Sequence, residues 1–481
     1  MVDLNRKVIS ATKWSSITEI SVKLVSPIST MVLARLLTPE AFGVLVTAVM
    51  VISFAEIFTD AGFQKYLIQH EFKLTESLYQ ATTVAFWSNL IMSVLIWLCI
   101  VIFADELARL VGNEGYGNVI AIAGFCIPLA AFSSIQMALY KRVFDFKTLF
   151  FVRIIGVLVP LIITIPLAYF TRSYWSLIIG MIVLNLSNAI FLTLKSPWKP
   201  NCYYSFNKLK EMLSFSIWSV VESVTIWFTS YIDIFIVGMV LNEYYLGVYR
   251  TSITTVGQIM SLVTAATTPV LFSSLSRLQL DATGFKNMFF RFQKVVGLFI
   301  IPLGVGIYLF RNLLTSILLG NQWMEAANFI GLWGLTSAIT IVFAHYCSEV
   351  YRAKGKPKLS VLAQVLHIIF LVPAVFYAVR YGFDVLCETR AWIRLQLVVV
   401  NLIILYSLVK ISFFSMFRNV YPSLLASLVM AGIILFLPQE KCDGVTNVLY
   451  LLIAVIIYVC VILCFSRERM ILLNLRSIIK K

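Results

Sequence analysis

Residues 79–103, YQATTVAFWSNLIMSVLIWLCIVIF, run for 25 residues without one charged side chain. At 1.5 Å of rise per residue a helix of that length reaches about 37 Å. That exceeds the roughly 30 Å of hydrocarbon in a bilayer. Working outward, comparable apolar runs recur near 14–36, 41–60, 117–139, 149–170, 174–194, 212–240, 244–274, 288–310, 326–350, 359–379, 389–409, 420–437 and 446–465. The count is about fourteen. Hydrocarbon offers the backbone no water to bond with, so each run is expected to be an α-helix. Composition agrees, with 60% hydrophobic and 13% charged residues. A soluble domain carries nearly twice that charge. The chain reads as an all-α polytopic membrane protein.

A net charge of +15 invites a nucleic-acid reading. The basic residues, however, sit in short connections between apolar runs and form no single patch. Assigning alternate connections to opposite faces places 28 Lys and Arg on the side of the N-terminus and 8 on the other, with Lys23 and Arg250 inside spans. The clusters Lys141, Arg142, Lys147, Arg153 and Arg352, Lys354, Lys356, Lys358 fall on the same side. By the positive-inside rule both termini are expected in the cytoplasm. No nucleic-acid partner is needed to explain the charge.

Enzymatic signatures are missing. There is no Walker-type loop, no GxSxG and no HExxH, and the connections, 195–211 and 275–287 among them, are too short to fold into a catalytic domain. Eight cysteines are scattered singly, without CxxC or Cys/His metal spacing. Cys387 and Cys442 fall in segments assigned to the periplasmic side, where a bridge would be chemically permitted. Residues 1–13 are polar, so no cleavable signal peptide is expected. The expectation is no catalytic residue, no metal and no cofactor, with transport driven by a Na+ or H+ gradient, by the membrane potential, or by the substrate's own gradient.

An internal repeat organises the chain. Ser10, Trp14, Ser15, Leu37, Gly43 and Val44 correspond, at a constant offset of 204, to Ser214, Trp218, Ser219, Leu241, Gly247 and Val248. A weaker echo sets Tyr140, Lys141 and Lys147 against Tyr351, Arg352 and Lys358. Six spans per copy preserve orientation, so the copies relate by a pseudo-two-fold along the membrane normal. The expected divisions are a six-helix lobe at 1–200, a second at 201–410, and two further helices with a basic cytoplasmic tail at 411–481. Transporters built this way place the substrate path between lobes.

Ionisable side chains inside spans are costly, by roughly 3 kcal/mol at the bilayer centre, and mark candidate sites. On the first span Ser15, Glu19, Lys23, Ser26 and Thr30 recur at helical spacing. The second carries Ser53, Glu56 and Asp60, and the seventh Ser219, Glu222, Thr229 or Ser230, and Asp233. The eighth carries Arg250, Thr254, Gln258, Ser261, Thr264 and Thr268. These four helices open the two lobes, where a central cavity would be lined. Each set has a plainer reading. Glu19 and Lys23, one turn apart, suit mutual neutralisation. Arg250 lies about 9 Å from its helix end and is able to snorkel. Ser and Thr stripes commonly pack helix on helix. His345 and His367 lack metal-ligand companions and read as packing histidines.

At Leu36-Leu37-Thr38-Pro39-Glu40-Ala41-Phe42-Gly43 the chain resembles the polysaccharide-export flippases of the Wzx type, in the multidrug/oligosaccharidyl-lipid/polysaccharide exporter superfamily. The likeness continues at Gly62-Phe63, Leu67-Ile68-Gln69, Ser196-Pro197-Trp198-Lys199-Pro200, Leu246-Gly247-Val248-Tyr249, Gly320-Asn321-Gln322-Trp323 and Gly355-Lys356-Pro357. It covers about residues 1–410. One departure is Leu271-Phe272-Ser273-Ser274, where these proteins tend to have a proline after the aromatic.

The resemblance implies a V-shaped, two-lobed flippase moving undecaprenyl-diphosphate-linked oligosaccharide repeat units to the periplasmic leaflet, in company with a polymerase and a chain-length regulator. It implies that Lys23 and Arg250 meet the diphosphate, with Arg35 at the rim. Glu19, Glu56, Asp60, Glu222 and Gln258 complete the candidate lining. Asp233, in Tyr231-Ile232-Asp233, resembles a seventh-span aspartate that helps bind sodium in such relatives. The same acidic residues suit a rival reading, a multidrug exporter using cation antiport. A polymerase or glycosyltransferase is a further rival, disfavoured by the missing catalytic loop.

Overall fold

Helices account for nearly every regular element, and no strand occurs among the described residues. The computed structural model describes residues 2–60, 62–72, 74–143, 145–437, 444–466, 468 and 469, without the side chains of 2–13, 15–17, 20, 75, 215–219, 222, 444 and 445. Thirteen helical stretches among them, from Pro39–Asp60 to Thr446–Leu463, are long and apolar enough to cross a membrane. The segment read as the first span lies within a further helix, Val2–Leu36. The chain is a multi-pass membrane protein. Side chains such as Phe170 and Phe436, 81% and 92% exposed, belong to surfaces that lipid covers.

The chain groups by its contacts into Met1–Arg250 and Thr251–Lys481. The first unit contains α1 (Val2–Leu36), α2 (Pro39–Asp60), the short α3 (Phe63–Gln69), α4 (Thr75–Ile102), α5 (Ala104–Leu110), α6 (Gly117–Ala123), α7 (Cys126–Arg142), α8 (Phe146–Val159), α9 (Ile165–Thr171), α10 (Trp175–Lys195), α11 (Phe206–Val240) and the start of α12 (Glu243–Arg277). α1 packs on α8 and α9, α7 on α4 and α10, and α11 on α2, α3 and α4. The division expected at 200/201 follows the sequence repeat. The division by contact falls later, because α11 rests on helices of the first copy.

Between α8 and α9 the span passes through one π-helical turn, Pro160–Thr164. Pro166 has no N–H for the carbonyl four residues back, and a wider turn redistributes the acceptors it frees. Asp145 caps α8, accepting from the Thr148 amide at 3.1 Å and the Thr148 hydroxyl at 2.7 Å.

The motifs that carried the family resemblance are anchors. Trp198 is buried with Phe63, Leu67, Phe86, Ile135 and Met212 in one apolar core, and meets the Phe86 ring at 5.5 Å. Arg142 donates to the carbonyls of Leu67, Ile68 and His70 at 2.6, 3.3 and 2.8 Å, satisfying the C-terminal end of α3. The Tyr66 hydroxyl donates to Glu211 at 2.8 Å, and burial, reinforced by that carboxylate, pushes the phenol up from its ordinary range.

The repeat reappears as a reciprocal contact within the first unit. A Cβ on Gly43 would lie 1.8 Å from the Glu243 carbonyl oxygen, and a Cβ on Gly247 would lie 1.9 Å from that of Pro39. The offset of 204 maps Gly43 to Gly247 and Pro39 to Glu243. The starts of α2 and α12 therefore cross backbone on backbone through equivalent residues, and only glycine permits that approach.

The second unit continues α12 and adds α13 (Ala282–Leu309), α14 (Arg311–Leu318), α15 (Ala327–Thr340), α16 (Cys347–Ala353), α17 (Lys358–Ala378), α18 (Phe383–Val409), α19 (Phe413–Phe436) and α20 (Gly444–Leu463). α15 and α16 form one span with a π turn, Ile341–His345, between them. α13 packs on α15 and α19, and α18 on α15 and α17. The last two helices, expected as an appendage, share a core with α13 in which the Tyr458 hydroxyl donates to the Leu298 carbonyl at 2.7 Å. Trp323 of the Gly-Asn-Gln-Trp motif is fully buried. Cys387 is a buried free thiol, while Cys442 and the tail from 470 onward lie outside the described residues.

Candidate functional site

α11 ends at Val240, α12 starts at Glu243, and the Asn242 side chain accepts from the Tyr245 amide at 3.2 Å. So short a turn lets long side chains at similar distances from it reach across from one helix to the other. Asp233 and Tyr249 are such a pair. The Tyr249 hydroxyl donates to Asp233 Oδ2 at 2.8 Å, with both side chains buried. The other carboxylate oxygen accepts from the Ile234 amide at 2.9 Å. Asp233 thus ties α11 to α12 as well as standing as the ion-coupling candidate.

One residue further along α12, Arg250 holds its guanidinium 5.5 Å from the centroid of the Tyr231 ring. Tyr231 stacks on Trp227, one turn earlier on α11, at 5.4 Å and 22°. The Trp227 indole N–H donates to Ser53 on α2 at 3.0 Å, and its ring meets Phe54 at 4.7 Å. Phe54 meets Phe58 edge-on at 5.2 Å. Arg250, Tyr231, Trp227, Phe54 and Phe58 make one continuous ladder across α12, α11 and α2. Phe54 and Phe58 are 37% and 42% exposed, and Arg250, Tyr231 and Trp227 are half-buried. A cation on a ring is worth about 0.5–2 kcal/mol, rising as water is excluded.

The other candidates are more dispersed. Glu56 and Asp60 are half-buried on the last turns of α2, below Ser53. Lys23 is half-buried and Glu19 exposed on α1, and no ion pair joins the two among the described residues. Arg35 is exposed in the last turn of α1. Gln258 is half-buried two turns beyond Arg250, in the second unit. The side chain of Glu222 lies outside the described residues.

The hydroxyl stripe on α12 is largely self-satisfied. Ser261, Thr264, Thr267 and Thr268 donate to carbonyls of Gln258, Met260, Val263 and Thr264 on their own helix, which leaves acceptor lone pairs facing outward. His367 packs as expected, its Nδ1 lying 3.1 Å from the buried-side Gln396 oxygen. His345 departs from expectation. The π turn swings it outward to an exposed position, where its Nε2 lies 3.4 Å from the Thr268 hydroxyl.

Two sets of residues escaped the sequence reading. Trp227 with Tyr231, and Phe54 with Phe58, were visible as aromatic pairs at i, i+4. Arg390 and Arg394 fall in the first residues of the run at 389–409 and were not singled out there. α18 begins at Phe383, so Arg394 lies eleven residues inside the helix, with its guanidinium 3.8 Å from the Trp333 ring and Arg390 at 4.9 Å. Among the described residues no group of three His, Cys, Asp or Glu is arranged to hold a metal ion.

The polysaccharide biosynthesis protein family matches residues 32–328, more than half of the chain. An "uncharacterized membrane protein in cps region" of Klebsiella pneumoniae is 22% identical over 383 residues, covering 78% of this chain and 77% of that protein. Lipopolysaccharide biosynthesis protein WzxC of Escherichia coli (strain K12) is 20% identical over 380 residues, covering 78% of this chain and 75% of its own. The lipid II flippase MurJ in an inward closed conformation has the same fold, with a TM-score of 0.77 at 14% identity over 95% of this chain and 99% of that one. The chain belongs to the polysaccharide biosynthesis protein family, as a multi-pass membrane protein of the Wzx flippase type.

Proposed function

We propose that this chain carries undecaprenyl-diphosphate-linked oligosaccharide repeat units from the cytoplasmic to the periplasmic leaflet of a bacterial inner membrane, with both termini in the cytoplasm, by alternating access between its two lobes. The reading is supported by family membership and by a fold shared with a protein described as a lipid II flippase. The observation that carries it is Arg250, a guanidinium seven residues inside α12 and held over Tyr231.

The physical task is to pass sugar hydroxyls and a diphosphate through hydrocarbon. A desolvated, unpaired anion there is prohibitive in cost. Arg250 and Lys23 supply cations to the diphosphate, Glu56 and Asp60 bond the sugar, and the polyprenyl tail stays in lipid. An inside-negative potential assists outward movement of the anion by about 2.3 kcal/mol per charge per 100 mV. Asp233 takes a sodium ion or a proton that couples the cycle to a gradient.

Replacing Lys23 or Arg250 with alanine should lower surface polysaccharide while protein level holds; unchanged polysaccharide in both would remove them from the mechanism. Asp233→Asn keeps an acceptor for Tyr249 but removes the charge. Export should fall with the protein still folded, whereas a carboxylate serving only as a tie would tolerate the change. Broad drug sensitivity on deletion, with polysaccharide intact, would favour the multidrug reading.

A further inference from the structure

We infer that the ladder Tyr231–Trp227–Phe54–Phe58 is the platform on which the sugar rings of the lipid-linked substrate stack, with Arg250 at its end marking where the diphosphate lies. The inference rests on the function proposed above and assigns to it a subsite of stated chemistry. Pyranose rings present one face of axial C–H bonds, which packs on the electron-rich face of an aromatic ring, and hydroxyls around the edge. Residues that take such a ring need aromatic surface beside polar groups, as ligand sites generally combine them.

The ladder has both. Its four rings follow one another at 5.4, 4.7 and 5.2 Å between centroids, so the platform extends over several sugar units. A polar group borders it on α2, where the Ser53 hydroxyl accepts from the Trp227 indole N–H. Arg250 closes the end at Tyr231. The substrate has the same order, a diphosphate followed by sugars, and linear matching of charge and ring surface fixes its register. Aromatic side chains that face lipid alone need neither a guanidinium at one end nor an indole N–H tethered to a serine. Stacking discriminates weakly among sugars, so the platform suits a carrier of a heteropolymeric repeat unit.

The test places cysteine at Phe54 or Phe58 in the full chain, in cells making the lipid-linked intermediate and in cells lacking the transferase that starts its synthesis. The probe is a charged, water-soluble methanethiosulfonate, and modification is read by mass spectrometry on the peptide carrying each position, so the native cysteines need no removal. Both positions should react, and about threefold more slowly when the intermediate is present, as for a site about two-thirds occupied. Reaction only with a membrane-soluble maleimide would mean that the rings face lipid, and overturns the inference. Equal rates in both cells also overturn it, while leaving the flippase reading intact. Trp227→Leu should lower export about threefold to tenfold at equal protein level, with Trp227→Phe close to wild type; two silent variants would count against the platform. If export does not depend on the chain at all, the proposed function itself falls.

Discussion

Arginine lies on an aromatic ring in a membrane span of each unit, and the two arrangements differ in burial. In the second unit Trp333 is 5% exposed, with Arg394 and Arg390 at 3.8 and 4.9 Å. Arg394 also donates to the Ser337 hydroxyl at 2.7 Å, which fastens α18 to α15. In the first unit Arg250 stands on Tyr231 at the end of a ladder whose far rings are 37% and 42% exposed. The same contact, closed off, holds helices together; left open, it presents ring and charge to whatever enters. Burial, more than residue type, separates staple from site.

Substitutions can break this comparison. The largest effect is expected from Trp333→Ala, which empties a buried volume and removes the surface under two cations. A loss of about 3–5 kcal/mol should sharply reduce the amount of folded protein in the membrane. Arg394→Ala should cost about 2 kcal/mol through its lost charged hydrogen bond and ring contact, read as a lower unfolding temperature in detergent. Its export should fall only in step with protein level. Arg250→Ala reverses the pattern, with stability changed by less than about 1 kcal/mol and export per molecule down about tenfold. Tyr231→Phe keeps the ring and should be the mildest, with stability and export near wild type. If Arg250→Ala unfolded the protein as readily as Arg394→Ala, the distinction between open and closed sites would be lost.

Much of the fold was legible because hydrocarbon imposes one length and one form on every crossing. All but the last residue of the uncharged run at 79–103 lies within α4, and the repeat at offset 204 emerged as the Gly43–Gly247 crossing. The short α3, α5 and α14 were read as connections, since seven or eight residues leave too little periodicity to detect. The run at 389–409 starts six residues after α18 does, because Asp384, Glu388 and the nearby Arg390 and Arg394 depress local hydropathy, although the helix runs straight through them. Of the site, Arg250 and Asp233 could be found as charges in apolar runs. The ladder could not. Trp227 and Ser53 are 174 residues apart and meet only when α11 packs on α2.

The most direct measurement is where the lipid-linked repeat unit accumulates when this gene is deleted. In spheroplasts, sugars on the outer leaflet of the inner membrane are open to membrane-impermeant periodate, and those on the inner leaflet are shielded. The account predicts intact, shielded intermediate in the deletion strain and in one complemented with Arg250→Ala, and oxidised intermediate once the wild-type chain is restored. Intermediate oxidised from outside in the absence of the chain would contradict it.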